Sequence, residues 1–114
     1  MYKVYISLPI SNFEDTVYDR SNNAKSQLKK LGYEPVSPID VNGITTSDLI
    51  DHTVLKKTAK YMGKDIEDVI LCDAIYLCEG WENSRGCNIE KYVAEKFGKK
   101  ILEQKYIDNY IQTV

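Results

Sequence analysis

The sequence predicts a three-layer α/β domain, with a four-stranded, mainly parallel sheet covered by helices on both faces. Three observations carry this. Short β-branched and aromatic runs alternate with stretches of helical periodicity, which implies parallel strands joined by right-handed crossovers. The run AIYLCEG (74–80) is apolar almost throughout, as expected of a strand covered on both sides. The chain has 114 residues, enough for one compact domain and too few for two.

YKVYISL (2–8) is β-branched and aromatic, is bounded by Pro9, and reads as the first strand. A helix follows from about Phe13, with Val17, Ala24, Leu28 and Leu31 on one face and Gly32 as its stop. YEPVSP (33–38) is a weaker strand whose proline assigns it to an edge. Residues 46–71 are helical again, in two pieces broken near Gly63. Asp73 leads into the third strand, a further helix follows, and KKIL (99–102) is the last strand. In the tail YIDNYIQTV (106–114), Ile107, Tyr110, Ile111 and Val114 recur at helical spacing. The expected organisation is a domain over 1–103 and a helical tail over 104–114, a candidate oligomer contact. Repeats, low-complexity segments and linkers are not evident. The expected strand order is 2-1-3-4, flavodoxin-like (Rossmann-like), and such sheets gather ligands at the carboxyl ends of the strands near the switch point. Two loops meet there: SLPISN (7–12) and GWENSRG (80–86).

Composition removes several functions. Net charge is −2 and the pI about 5.4, so nothing favours nucleic-acid polymers or an anionic membrane. Three cysteines without CxxC spacing and the lone His52 argue against a disulfide framework and against a metal site. The N-terminus is too short and polar for a signal peptide, and no apolar run approaches membrane-spanning length, so a cytoplasmic protein is expected. No cofactor is expected. The nine tyrosines supply packing or stacking surface.

One residue breaks its pattern. In GWENSRGCNIEKYVAEKF (80–97), Ile89, Val93, Ala94 and Phe97 fan over one side of a helix and Glu90 falls in their midst. A carboxylate buried alone costs several kcal/mol. Glu90 therefore either pairs with a cation such as Arg20 or Arg85, or lines a polar cavity that a substrate enters. Side chains on a helix lean towards its N-terminus, so Glu90 reaches back over the Ser84–Gly86 turn. Asn83 or Ser84 caps that helix, and Gly86 lets a ligand approach the backbone; the turn is an anion site or an ordinary cap. In MGKDIEDVILCD (62–73), Asp65 sits at the edge of an apolar face, as a general acid or as a cap after Gly63. Two carboxylates with different surroundings in one cleft are suited to cleaving a glycosidic bond. Tyr5 and Ser7 reach the same cleft from the first strand, or Tyr5 packs in the core. Trp81 stacks on a base or plugs the sheet edge. His52 reads as a surface helix residue, and Cys87, without a histidine partner, does not read as a nucleophile.

YISLPIS (5–11), LKKLGYEPVSPID (28–40) and the long segment 65–101 together resemble the nucleoside 2-deoxyribosyltransferase superfamily. The resemblance is to a branch of small phage and bacterial proteins, related to the 2'-deoxynucleoside 5'-phosphate N-hydrolases, and covers about residues 2–102. Its most specific part is S-x-G-x-x-x-E, here Ser84, Gly86 and Glu90, preceded by a helical Asp65. It implies that Glu90 attacks the anomeric carbon to form a glycosyl-enzyme ester. It also implies that Asp65 holds or protonates the departing base, and that Ser84 and Gly86, with Pro9 and Ile10 of the first loop, hold a 5'-phosphate. The substrates implied are nucleosides or nucleotides, and the assembly a homodimer or larger. Family loops often read Gly-Pro where this chain has Leu8-Pro9, and Trp81 and Arg85 belong to the phage and bacterial branch. The competing expectation is a non-catalytic nucleotide-binding or sequestering protein using the same cleft.

Overall fold

The computed structural model describes residues 2–10, 14–41 and 55–111. Four strands, β1 (Lys3–Ser7), β2 (Glu34–Val36), β3 (Ala74–Leu77) and β4 (Lys100–Glu103), form one sheet in the order β2-β1-β3-β4. Every neighbouring pair is parallel, with Tyr5 opposite Ile75 and Ser7 opposite Leu77 at the centre. This is the predicted order. Pro35 lies in β2 at the sheet edge, where its missing N–H leaves no interior ladder bond unmade.

The helices are α1 (Val17–Lys30), α2 (Pro38–Val41), α3 (Leu55–Leu71), α4 (Arg85–Lys96) and α5 (Ile107–Ile111). Side chains alternate across β1 and sort the core into two layers. Val4, Ile6 and Leu8 pack with Val17, Ala24 and Leu28 of α1, with Ile39 of α2 packed in the same layer. Tyr5 packs on the other face with Val69 of α3 and Ala94 of α4. β3 is buried along its whole length because it has helices on both sides. Gly32, at φ +83°, takes the left-handed conformation that ends α1 where the sequence places a stop.

Two sequence expectations are corrected. Helix α3 runs through Gly63 without a break. A glycine inside a helix costs about 1 kcal/mol, a local penalty smaller than the packing of one large apolar residue. The buried stripe of α4 is Cys87, Glu90 and Ala94, while Ile89 is 38% and Phe97 59% exposed. Phe97 lies beyond the last turn, and where α4 meets α3 and the sheet decides which apolar residues are covered. The tail packs on its own domain: Ile107 and Tyr110 lie against the α1-side core, and the Tyr110 hydroxyl accepts from the Glu103 amide at 3.1 Å. Among the described residues, no helix is long and apolar enough to cross a membrane. Phe13, the start of the second helical stretch at 46–54 with His52, and Val114 lie outside the described residues.

Candidate active site

Glu90 stands at the centre of the stripe by which α4 meets the sheet, and is 5% exposed. Strand β1 satisfies it. The Ser7 hydroxyl donates to Oε1 at 2.7 Å and the Tyr5 hydroxyl to Oε2 at 2.9 Å. Both donors face α4 because they occupy alternate positions of β1, on the side opposite Val4, Ile6 and Leu8. Leu8 is buried in the α1-side core.

Asp65 comes to the same place from α3. Its charge and a shared hydrogen bond act on Glu90, whose carboxyl is pushed up to about 8. Burial is the largest cause and Asp65 the next; the Ser7 and Tyr5 hydroxyls act in the opposite direction. Two carboxyls in contact in a low dielectric cannot both ionise, so the pair holds a proton near neutrality. Burial and the Glu90 charge together keep the Tyr5 phenol far above its usual range, so it acts as a hydrogen-bond donor. Among the described residues no ion pair involves Glu90. Arg20, a candidate partner in the sequence, donates to the Pro9 carbonyl at 2.7 Å and to the Thr16 hydroxyl at 2.9 Å. Arg85 is exposed. The buried acid is thus met by hydroxyls and a second acid.

Nearly two turns before Glu90, Ser84 caps α4: its hydroxyl oxygen accepts from the Cys87 amide at 3.3 Å. Asn83 belongs to the preceding 3-10 turn. The loop is held by a residue that the sequence did not single out. The Asn88 amide nitrogen reaches the carbonyls of Trp81, Glu82 and Ser84 at 3.3, 3.0 and 2.9 Å. The available signal was an amide side chain four residues past a serine cap. Gly86 is covered by Met62 of α3, since a Cβ there would lie 3.4 Å from the Met62 methyl. Met62 and Asp65 are three residues apart and so share one face of α3. Cys87 is buried, its thiol pushed up to about 11 chiefly by burial, which suits a packed thiol and not a nucleophile.

The remaining candidates sit at the periphery. Pro9 is buried and approaches Gly80, whose Cβ would lie 3.7 Å from its ring, so the two predicted loops do meet. Ile10 packs against the α1-side core. Trp81 packs against the other core layer and its ring N–H donates to Glu103 at 3.3 Å, the arrangement of a plug on the sheet edge. Among the described residues, no group of three His, Cys, Asp or Glu side chains is placed to hold a metal.

The fold is that of a solved structure described as 2-desoxiribosyltransferase from Leishmania mexicana, with a TM-score of 0.60 and 21% identity. That match covers 90% of this chain and 63% of the other, so the present chain spans under two thirds of its neighbour's length. No curated protein matches. The sequence profile of the family described as Domain of unknown function (DUF4406) matches residues 2–103, and the chain belongs to that family.

Proposed function

We propose that this protein cleaves the N-glycosidic bond of nucleosides or nucleoside 5'-monophosphates, with Glu90 as nucleophile and Asp65 as proton donor. The observation that carries the reading is Glu90 itself. It is a buried acid that meets no cation among the described residues, aimed by two hydroxyls and in contact with a second acid, near the carboxyl ends of β1 and β3. An acid so placed lowers stability, and its retention is explained by chemistry.

In the proposed reaction a Glu90 oxygen attacks the anomeric carbon while the C–N bond breaks, its electron pair leaving with the base. The proton that Glu90 holds in the acid pair passes to Asp65 as the attacking carboxylate forms, and from Asp65 to the departing nitrogen. Water, or a second base, then attacks the anomeric carbon of the ester, frees the Glu90 carboxylate and returns a proton to Asp65. Ser7 and Tyr5 keep the nucleophile in one orientation. The Ser84 hydroxyl, whose oxygen already accepts from Cys87, retains its own proton to donate to a 5'-phosphate, with the Gly86 amide beside it. A homo-oligomer in which the tail over 104–114 forms a contact is part of the same proposal.

The test is incubation with 2'-deoxynucleosides and their 5'-monophosphates, followed by chromatography for free base. Base release that disappears in Glu90→Gln is expected. Tight binding with the ligand unchanged would replace this reading with a non-catalytic nucleotide-binding protein.

A further inference from the structure

On the opposite face of the sheet, a hollow of about 230 Å³ opens between α1 and the turn that follows β4. Arg20, Asn23 and Gln27 line it from one stripe of α1, at spacings of three and four residues. Gln104 and Ile107 close it from the tail, beyond the residues that the family profile matches.

The orientation of its amides follows from a single backbone donor. The Glu79 N–H, which can only donate, reaches Gln104 Oε1 at 2.9 Å. Gln104 Nε2 must then point the other way, and donates to Gln27 Oε1 at 3.0 Å. The same Gln27 oxygen accepts from the Tyr76 hydroxyl at 2.8 Å. Burial raises the Tyr76 phenol well above its ordinary range, so it stays a donor at any working pH. With two donors on its oxygen, Gln27 has its NH2 group left over, and among the described residues that group has no partner. Asn23, one turn earlier, is exposed and its carboxamide is also unengaged among the described residues. The Arg20 and Glu79 charges on the lining oppose one another, so the hollow favours a neutral ligand. It is smaller than the roughly 300–1,000 Å³ that takes a drug-sized molecule.

We propose that this hollow is a second small-molecule site, which takes a neutral planar ring carrying hydrogen-bond acceptors, a free nucleobase rather than a nucleotide. Gln27 supplies donors of fixed direction, Asn23 adapts to the ring edge, and Leu8 and Ile107 provide the apolar walls. The choice of nucleobase within that ligand class rests on the proposed reaction, which releases or accepts one; the geometry of the hollow does not.

The experiment is calorimetric titration of adenine, cytosine and their 5'-monophosphates into wild type, Asn23→Leu, Gln27→Leu and Glu90→Gln. Free bases are expected to bind wild type and Glu90→Gln alike, and to lose about tenfold in affinity in Asn23→Leu and Gln27→Leu. Asn23 is exposed and holds nothing in the fold, so that variant decides the matter if loss of the Tyr76 acceptor prevents Gln27→Leu from folding. Base binding that survives both α1 substitutions, base binding lost in Glu90→Gln, or no base binding to wild type overturns the second site. Base binding through Asn23 in a protein that releases no base from any nucleotide leaves the hollow standing and removes the proposed reaction instead.

Discussion

The two faces of the sheet bury polar groups in opposite ways. On the α1 face, Ser21 and Ser37 share a hydrogen bond of 2.8 Å, and Tyr76, Gln27, Gln104 and the Glu79 amide form a relay in which the Gln27 and Gln104 oxygens accept and the Gln27 NH2 group is left over. Every member is neutral, so burial there costs little once the bonds are made. On the α3/α4 face two acids, Glu90 and Asp65, come into contact, and the two hydroxyls from β1 both go to Glu90. Burial and the second acid make Glu90 keep its proton up to about 8. One face is settled at any pH, and the other is poised.

The comparison breaks first at Glu90. Glu90→Gln should remove base release by roughly a thousandfold or more, because the carboxylate proposed to form the ester is gone. Asp65→Asn should lower turnover by about 10²–10⁴-fold, the range for losing a positioned proton donor, read as kcat with the fold intact by circular dichroism. An Asp65→Asn protein with unchanged turnover would assign that acid a structural role.

Stability against pH is the sharper contrast. Glu90 in the fold holds its proton up to about 8, whereas its ordinary value is 4.5. Between those values the folded chain binds more protons than the unfolded one, so the stability from this group is complete below the lower value and lost as pH rises towards the upper. Wild type should thus weaken from pH 5 to pH 8, by up to about 1 kcal/mol for each pH unit. Glu90→Gln lacks this slope, and its melting temperature should overtake wild type by an amount that grows with pH. A melting temperature more than about 10 °C below wild type at neutral pH would instead make Glu90 a structural partner of a buried charge.

Ser84→Ala tests the rim of the same face. It should weaken nucleoside 5'-monophosphates by roughly tenfold to a hundredfold and leave nucleosides nearly unchanged, with about 1 kcal/mol of stability lost with the cap. Equal losses for both ligands would remove the phosphate assignment. The smallest effect belongs to the neutral face. Ser21→Ala should cost about 1 kcal/mol, equally at pH 5 and pH 8, and leave base release unchanged. A pH-dependent loss there would erase the distinction between the faces.

What the sequence by itself determined is what short-range pattern encodes. Alternating apolar runs and helical stretches predict the parallel sheet and its order, Gly32 the end of α1, Pro35 an edge, and Asn83 or Ser84 a cap, of which the structure uses Ser84. The misplaced Glu90 was visible for the same reason, since a helical period of 3.6 residues assigns a face to every position. Tertiary structure decided the rest. Whether Glu90 met a cation or a second acid depended on α3 lying beside α4, and its hydroxyl partners Tyr5 and Ser7 are 85 and 83 residues away in the chain. The same packing carried α3 through Gly63, left Ile89 exposed, and turned Arg20 to the Pro9 carbonyl. Local sequence states which groups are out of place. Which groups answer them is set by contacts between segments far apart in the chain, because burial energy belongs to the assembled layers and not to any one of them.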